Sequence, residues 1–380
     1  MDIKELRENI DDIDKKLTEL FARRMDVASK IAEYKKNKGL PVLDPVRERE
    51  KLSEISKMTP DELKDYSELL YSLIFELSRD YQTRILGNGS ELTEKIEKAV
   101  AGTPSLFPEQ AFVACQGVAG SNSQFACDRL FRRASIMYFS SFEAVFKAIE
   151  KGLCRYGVIP VENSTAGSVN SVYDLMMTHK FSIVRSVRVK IEHCLLANEG
   201  TKLEDIKEIY SHEQAISQCS SFLGELKNVK IIPCENTAVA AKMVAESGRK
   251  DIAALASRQC MSFYGLKSLK DSVQNTENNY TRFICISKEL EIYPGADRTS
   301  VMLTLPHVPG SLYKLLARFY AVDVNINKLE SRPLPGREFE FMFYFDFDTP
   351  VYSPRLLRLL GELPGLCEQF SYLGSYSEVI

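Results

Sequence analysis

Ile3, Leu6, Ile10, Ile13, Leu17 and Leu20 recur at alternating spacings of three and four residues. That is the pattern of one long amphipathic helix with a heptad-like apolar seam. Continuing the register puts Arg24 on the seam, followed by Val27, Ile31 and Tyr34, with Lys35 beside it. Two cations about three turns apart therefore face one interior. An unpaired guanidinium removed from water is costly, so Arg24 requires an anion, supplied by a side chain or by a ligand. The helix is predicted from about Ile3 to Lys38, where Gly39 and Pro41 end it. Asp44-Pro45 opens a second, short helix as an N-cap and N1 pair, and Thr59-Pro60-Asp61-Glu62 opens a third that reaches about Leu86. One long helix cannot bury its seam on two shorter ones, and the pattern predicts pairing with a second copy of the chain.

The texture changes after residue 87. Gly87-Asn88-Gly89-Ser90 breaks the helical pattern, and residues 88–110 read as a charged, Pro-containing linker. From 111 to 288 short apolar runs alternate with helical stretches: Phe112–Cys115, Tyr156–Pro160, Ile183–Val187, Ile206–Ser211, Ile231–Pro233 and Ile252–Ala256. This α/β segment is long enough for two lobes with a ligand cleft between them. Residues 299–380 read as strand Ser300–Leu305, helix Ser311–Tyr320, strand Val324–Ser331, strand Phe339–Phe347, helix Pro354–Leu363 and a last strand near Gln369–Tyr376. That order suits a small α+β, ferredoxin-like sandwich. The chain is thus multidomain: all-α, then α/β, then α+β.

Composition narrows the class. The 380 residues are 44% hydrophobic and 27% charged, with a net charge of −3. That balance argues against nucleic acid or an anionic membrane as a main partner. No apolar run reaches bilayer-spanning length, and the charged, helical N-terminus argues against a signal peptide. Nine scattered cysteines with no CxxC pair, and only four histidines, point to reduced thiols in a cytoplasmic protein without a zinc site.

In the helical segment the candidate residues are Arg7, Arg24, Lys35, Asp44, Arg47, Glu48, Ser78 and Gln82. Ser78 and Gln82 are four apart on the third helix, so both can point inward. Inward cations in a helix bundle suit a small carboxylate-bearing molecule. The blocks LRENIDDIDKKLTELFARR, the lysine eleven residues on, PVLDPVRERE and SRDYQ resemble the all-helical chorismate mutases across residues 1–87. The resemblance implies that Arg7, Arg24 and Arg47 bind the two carboxylates of chorismate, with Arg7 contributed by the second subunit of an intertwined dimer. It also implies that Lys35 and Gln82 hydrogen-bond the ether oxygen, and that Asp44, Glu48 and Ser78 contact the hydroxyl or secure the carboxylates. A Claisen-type rearrangement has no nucleophile and no proton transfer, so positioning and charge stabilisation suffice without metal or cofactor.

Three blocks stand out in the α/β segment. Gly117–Ala126 (GVAGSNSQFA) is a Gly- and Ser-rich loop opening a helix, a natural anion cradle. Glu162, Asn163, Ser164 and Thr165 follow an apolar strand directly, and Asn278–Phe283 (NNYTRF) puts Thr281 and Arg282 at the head of another. Together with Tyr210–Leu223 (YSHEQAISQCSSFL) these blocks resemble prephenate dehydratase over residues 111–288, with a two-lobed, periplasmic-binding-protein-like fold. The resemblance implies that Thr281 is the leading catalytic residue and Arg282 a substrate-carboxylate partner. Glu162, Asn163, Ser164, Thr165, Ser123 and Gln214 would line the cleft. Glu162 would be the proton source if burial raised its pKa. One departure is Glu213, which stands where the family's SH-P-Q motif has proline.

Pro309-Gly310-Ser311-Leu312 and Leu329–Pro333 (LESRP) resemble the ligand signatures of ACT regulatory domains. That resemblance implies a phenylalanine site between two such domains, involving Gly310, Ser311, Leu312, Glu330, Ser331 and Arg332. The whole chain is expected to convert chorismate through prephenate to phenylpyruvate as a cytoplasmic homodimer or homotetramer inhibited by L-phenylalanine. A second domain acting on arogenate, the aminated analogue of prephenate, is the alternative. A non-catalytic amino-acid sensor would have no need of Arg24, Lys35, Gln82 or the TRF triplet.

Overall fold

The computed structural model describes residues 2–86 and 91–380. The break expected at Gly87-Asn88-Gly89-Ser90 lies outside the described residues. The chain divides into two compact units, Met1–Glu91 and Leu92–Ile380. No helix among the described residues is long and apolar enough to cross a membrane.

The first unit holds α1 (Ile3–Lys38), α2 (Pro45–Met58) and α3 (Lys64–Ile85). Asp2 caps α1, and Gly39 ends it in the left-handed conformation (φ 65). Asp44 caps α2 by accepting from the Arg47 N–H at 3.1 Å. Only the C-terminal part of α1 finds cover, burying Met25, Ala28 and Ala32. Ile3, Leu6, Ile10, Ile13, Leu17 and Leu20 stay 42–61% exposed, so the seam that demanded a second copy is uncovered in the single chain.

The second unit begins within α4 (Glu91–Gly102), whose first residue closes the first unit. A first lobe follows: β1 (Gln110–Gln116), α5 (Asn122–Leu130), β2 (Arg133–Phe139), α6 (Phe142–Glu150) and β3 (Tyr156–Asn163). It continues with β4 (Gly167–Ser168), α7 (Asn170–Met176) and β5 (Ser182–Lys190). The chain then crosses to a second lobe of β6 (Cys194–Ala197), β7 (Glu208–Ser211), α8 (Glu213–Gln218), α9 (Ser220–Glu225) and β8 (Lys230–Pro233). That lobe ends with α10 (Thr237–Ser247), β9 (Ile252–Ala256), α11 (Cys260–Tyr264) and β10 (Lys267–Lys270), before β11 (Tyr280–Ser287) returns to the first. The C-terminal part is β12 (Arg298–Thr304), α12 (Ser311–Ala321), β13 (Ile326–Pro333), β14 (Phe341–Phe347), α13 (Pro354–Glu362), β15 (Gln369–Tyr376) and β16 (Glu378–Val379).

The first lobe's sheet runs β16-β5-β11-β3-β1-β2, with β4 paired to β3. The second lobe's runs β10-β6-β9-β7-β8, and the C-terminal sheet β13-β14-β12-β15. The C-terminal βαββαβ order is the expected ferredoxin-like arrangement. Its boundaries are less tidy than the expectation. The stretch expected as a linker carries α4, whose Leu92, Ile96, Ala99 and Val100 pack with Leu315, Phe319, Leu356 and Leu360 of the C-terminal part. Those four residues recur at helical spacing, which is why an apparently charged segment folds onto a core.

The C-terminal part also shares a core with the first lobe. Met302, Met342, Tyr344 and Leu373 belong to one buried cluster with Ile159, Val161 and Ile284. β16 returns to the first lobe and pairs parallel with β5, Glu378 opposite Ser186. The closest backbone approach at this junction is Gly374 (φ 140), where an added Cβ would stand 2.2 Å from the Ile183 carbonyl oxygen. Only glycine fits there. Gly374→Ala is accordingly expected to destabilise the second unit by about 2–4 kcal/mol, read as a lower thermal unfolding midpoint. An unchanged midpoint would mean that the strands separate freely.

Candidate active sites

In the helical unit, Arg24, Lys35, Asp44, Arg47, Glu48, Ser78 and Gln82 line one pocket of about 440 Å³. They come from three elements: α1 gives Arg24 and Lys35 one below the other, α2 with its N-cap gives Asp44, Arg47 and Glu48, and α3 gives Ser78 and Gln82. Lys35 is tethered by donating from Nζ to the Val42 carbonyl at 2.6 Å, and Gln82 Nε2 approaches Ser78 Oγ at 3.4 Å. Two buried polar atoms of this pocket, Arg24 Nη1 and Gln82 Oε1, have no hydrogen-bond partner among the described residues. Burial pushes the Arg24 pKa down, against weaker support from Tyr71 and Glu48, and the guanidinium lies 5.5 Å from the Phe75 ring centroid. The pocket thus keeps a dry, charged donor and a neutral acceptor without internal partners. Sequence reading missed Arg79, which also lines the pocket and forms an ion pair with Glu48. Arg7 is exposed on the uncovered end of α1, away from these residues.

A second pocket, of about 520 Å³, lies between the two lobes. Two helices point their N-termini at it. α5 brings Ser121, Asn122 and Ser123 to the wall, and α10 brings Asn236 and Thr237, with Ser121 and Asn236 as the N-caps. Helix N-termini carry partial positive charge and free N–H groups, suitable for an anion. Among the described residues, none that lines this cleft is a lysine or an arginine. Asn163 and Thr281 stand side by side on its floor because β3 and β11 pair with Thr281 opposite Asn163. Asn163 Nδ2 donates to Thr281 Oγ1 at 3.0 Å. Gln214 also lines the cleft. Glu213 takes the first position of α8, with His212 as N-cap, so an acid replaces proline at a place that favours either.

A chorismate mutase type II profile matches residues 6–83, and a prephenate dehydratase profile matches residues 113–291. The bifunctional chorismate mutase/prephenate dehydratase of Escherichia coli (strain K12) is 31% identical over 381 residues, covering 98% of this chain and 95% of that protein. The chain belongs to the bifunctional chorismate mutase/prephenate dehydratase family. Arogenate dehydratase 2 of Petunia hybrida is 37% identical over 281 residues, 70% of this chain and 71% of its own length. A solved prephenate dehydratase from Arthrobacter aurescens, in complex with L-Phe, matches with a TM-score of 0.64 at 28% identity, covering 70% of this chain and 90% of that one.

Four residues expected at the dehydratase cleft need correction. Glu162 and Arg282 do not line it. They are paired with each other across β3 and β11, one residue from Asn163 and Thr281, and alternation along a strand sends them to the opposite face. There Arg282 is 5% exposed, pairs with Asp346, and lies 3.3 Å from Glu378, 3.5 Å from Glu162 and 2.7 Å from the Tyr376 hydroxyl. Burial opposes its charge, but Tyr376, Asp346 and Tyr344 outweigh burial and hold its pKa well above the ordinary value. Glu162 is occupied by Arg282 and by Lys328 at 3.0 Å. Arg282 therefore anchors β11 to the C-terminal part, and neither residue is placed to touch a ligand in the cleft. Ser164 and Thr165 are also outside the lining. Ser164 Oγ bridges the Asn278 carbonyl and the Tyr280 N–H, and Thr165 Oγ1 donates to Asn163 Oδ1 at 2.7 Å.

In the C-terminal part, Ser311 and Leu312 line a pocket of about 360 Å³ with His307, Val308, Phe341 and Phe343. Gly310 supplies the left-handed turn (φ 84) that starts α12. The other signature, on β13, is not part of this pocket. Glu330 accepts from Ser168, a cleft-lining residue, and Arg332 holds Asp174 of α7 through two hydrogen bonds of 2.9 Å. Ser331 lies opposite Phe343 in the sheet.

The orphaned Arg24 Nη1 makes a prediction about stability. Arg24→Met keeps the aliphatic packing and removes a half-buried charge whose Nη1 lacks a partner, so the unfolding midpoint of the helical unit should stay level or rise while mutase activity disappears. A midpoint several degrees lower would mean that Arg24 is held by a structural anion.

Proposed function

We propose that the helical pocket binds chorismate as a dianion and that the interlobe cleft converts prephenate to phenylpyruvate. The observation that carries the first half is Arg24 Nη1, buried with no hydrogen-bond partner among the described residues, in a pocket that also holds Lys35 and Arg47. Arg24 and Arg47 take carboxylates, with Arg7 supplied by a second subunit over the uncovered seam. Lys35 and Gln82 face the breaking ether C–O bond, where negative charge develops, with Gln82 donating from Nε2. Asp44, Glu48 and Ser78 orient the hydroxyl and the carboxylates. A fixed cation in a dry pocket stabilises that charge more than water does, because its dipoles need not reorganise. Holding the two reacting carbons together supplies the remainder.

In the cleft, the bond between the ring and the departing carboxylate breaks, and its electrons enter the ring as carbon dioxide leaves. The ring C–O bond breaks toward oxygen, and the hydroxyl takes one proton from solvent and leaves as water. Thr281 donates a hydrogen bond to that leaving oxygen, since its own oxygen already accepts from Asn163. With Arg282 turned away, the N-termini of α5 and α10, together with Ser123 and Gln214, take the place of cations in holding carboxylate charge. The apolar cleft residues Phe142, Val169, Ile191 and Phe283 offer the non-polar surroundings that favour loss of carbon dioxide. L-phenylalanine binds between two C-terminal domains at the loop holding Gly310, Ser311 and Leu312, and inhibits the dehydratase. The solved relative in complex with L-Phe supports this reading. The nine cysteines, all unpaired, fit a cytoplasmic enzyme.

Single substitutions should separate the two activities. Arg24→Ala should lower mutase kcat/KM by a factor on the order of 10³ while added prephenate is still consumed, and Thr281→Ala should do the reverse, with a dehydratase loss on the order of 10² or more. Assays on chorismate, prephenate and arogenate, following product formation with and without L-phenylalanine, read all of this. Loss of both activities in either variant contradicts two separate sites, and a higher kcat/KM for arogenate than for prephenate reassigns the cleft's substrate.

A further inference from the structure

A threonine hydroxyl can accept or donate, and only donation assists a leaving hydroxyl. The cleft floor contains a feature that fixes this choice. Asn163 Oδ1 accepts from the Thr165 N–H at 3.1 Å, the Thr165 hydroxyl at 2.7 Å and the Ala166 N–H at 2.9 Å, which orients its amide. Its Nδ2 is then left to donate, to Asn279 Oδ1 at 2.7 Å and to Thr281 Oγ1 at 3.0 Å, with the Tyr280 carbonyl a longer third acceptor at 3.2 Å. Thr165, having donated, accepts from Gln218 Nε2 at 2.9 Å. Gln218 Oε1 must therefore be an acceptor, and it faces Asn279 Nδ2 at 3.0 Å and His193 Nε2 at 3.0 Å. That assigns the imidazole proton to Nε2. His193 is 4% exposed, and its Nδ1 is buried with no partner, consistent with a bare ring nitrogen. Burial also pushes its pKa down, which keeps the ring neutral.

We propose that His193, together with Gln218 and Asn279, is a positioning unit that sets the direction of a hydrogen-bond chain ending at Thr281. Every link runs one way: His193 Nε2–H to Gln218, Gln218 to Thr165, Thr165 to Asn163, Asn163 to Thr281. The Thr281 proton is left to point into the cleft. Links polarised in one direction strengthen one another. The chain also spans the hinge, since His193 lies where the backbone crosses between lobes, Gln218 is in the second lobe and Asn163 in the first. His193 belongs to none of the blocks that mark the cleft in the sequence, whereas Gln218 lies within Tyr210–Leu223 and Asn279 within Asn278–Phe283. The inference rests on Thr281 being the group that acts on the departing hydroxyl.

The test is steady-state kinetics on prephenate with the full chain, for His193→Phe, His193→Gln, Gln218→Met and Thr281→Ala, with thermal midpoints measured alongside. His193→Phe fills the site without an N–H and should lower kcat tenfold or more while KM stays within about threefold. His193→Gln can place an amide N–H where Nε2–H stands and should recover kcat to within about threefold of the parent. Gln218→Met breaks the same chain from the other lobe and should reproduce the His193→Phe split, which keeps the test open if the phenylalanine variant folds poorly. Unchanged kcat in either chain-breaking variant, or a His193→Gln variant as impaired as His193→Phe at a normal midpoint, overturns the proposal. If those variants retain kcat while Thr281→Ala loses it, only the positioning chain is lost. Retained kcat in Thr281→Ala sinks the reading of Thr281 itself.

Discussion

The second unit depends on how one buried guanidinium is satisfied. Arg282 sits on a central strand of the first lobe and is surrounded by Asp346, Glu378, Glu162 and the Tyr376 hydroxyl. Asp346 is itself held by Ser300 and Tyr344, and Glu378 by Arg188 at 2.7 Å and Arg298 at 3.1 Å. A charge this deep is tolerable only while every partner is in place. Those partners come from β3, β14, β15 and β16, so the same ion cluster requires the C-terminal part to be docked and the C-terminal strand to be threaded back beside β5. Because Arg282 follows Thr281, whatever moves the C-terminal part bears on the strand that carries the cleft's hydroxyl.

The two pockets solve the problem of an anionic ligand by different means. The helical pocket uses whole charges, with Arg24, Lys35, Arg47 and Arg79 set against Asp44 and Glu48. The cleft uses no cationic lysine or arginine and relies on helix N-termini, amides and hydroxyls. This division matches the chemistry. The rearrangement must stabilise charge building on an ether oxygen, for which fixed cations are effective. Decarboxylation must let a carboxylate lose its charge, and a strong cation beside it would hold the charge where it is.

Much of this was legible in the chain. The misplaced Arg24 announced the helical pocket, and alternate spacing of three and four gave α1 its length and its uncovered face. The failures have physical causes. Treating Thr281-Arg282 and Glu162-Asn163 as blocks ignored the alternation of side chains along a strand, which sends neighbours to opposite faces. The same rule, applied to two strands paired in register, would have placed Thr281 with Asn163 and Arg282 with Glu162. The charges of the α4 segment mask the helical period of Leu92, Ile96, Ala99 and Val100 that folds it onto a core. His193 lies outside every block singled out, and although Gln218 and Asn279 lie inside two of them, only the double crossing between lobes brings the three together.

The central claim is that Arg282 and Asp346 form one structural unit linking the cleft strand to the C-terminal part. A double-mutant cycle on the unfolding of the second unit, with Arg282→Met, Asp346→Leu and the pair, tests it most directly. Each single change should cost about 3–5 kcal/mol by stranding the opposite charge, and the double variant should lose much less than the sum, with a coupling of at least about 2 kcal/mol. Additive losses would contradict the account, because they would mean that the two residues stabilise the fold independently.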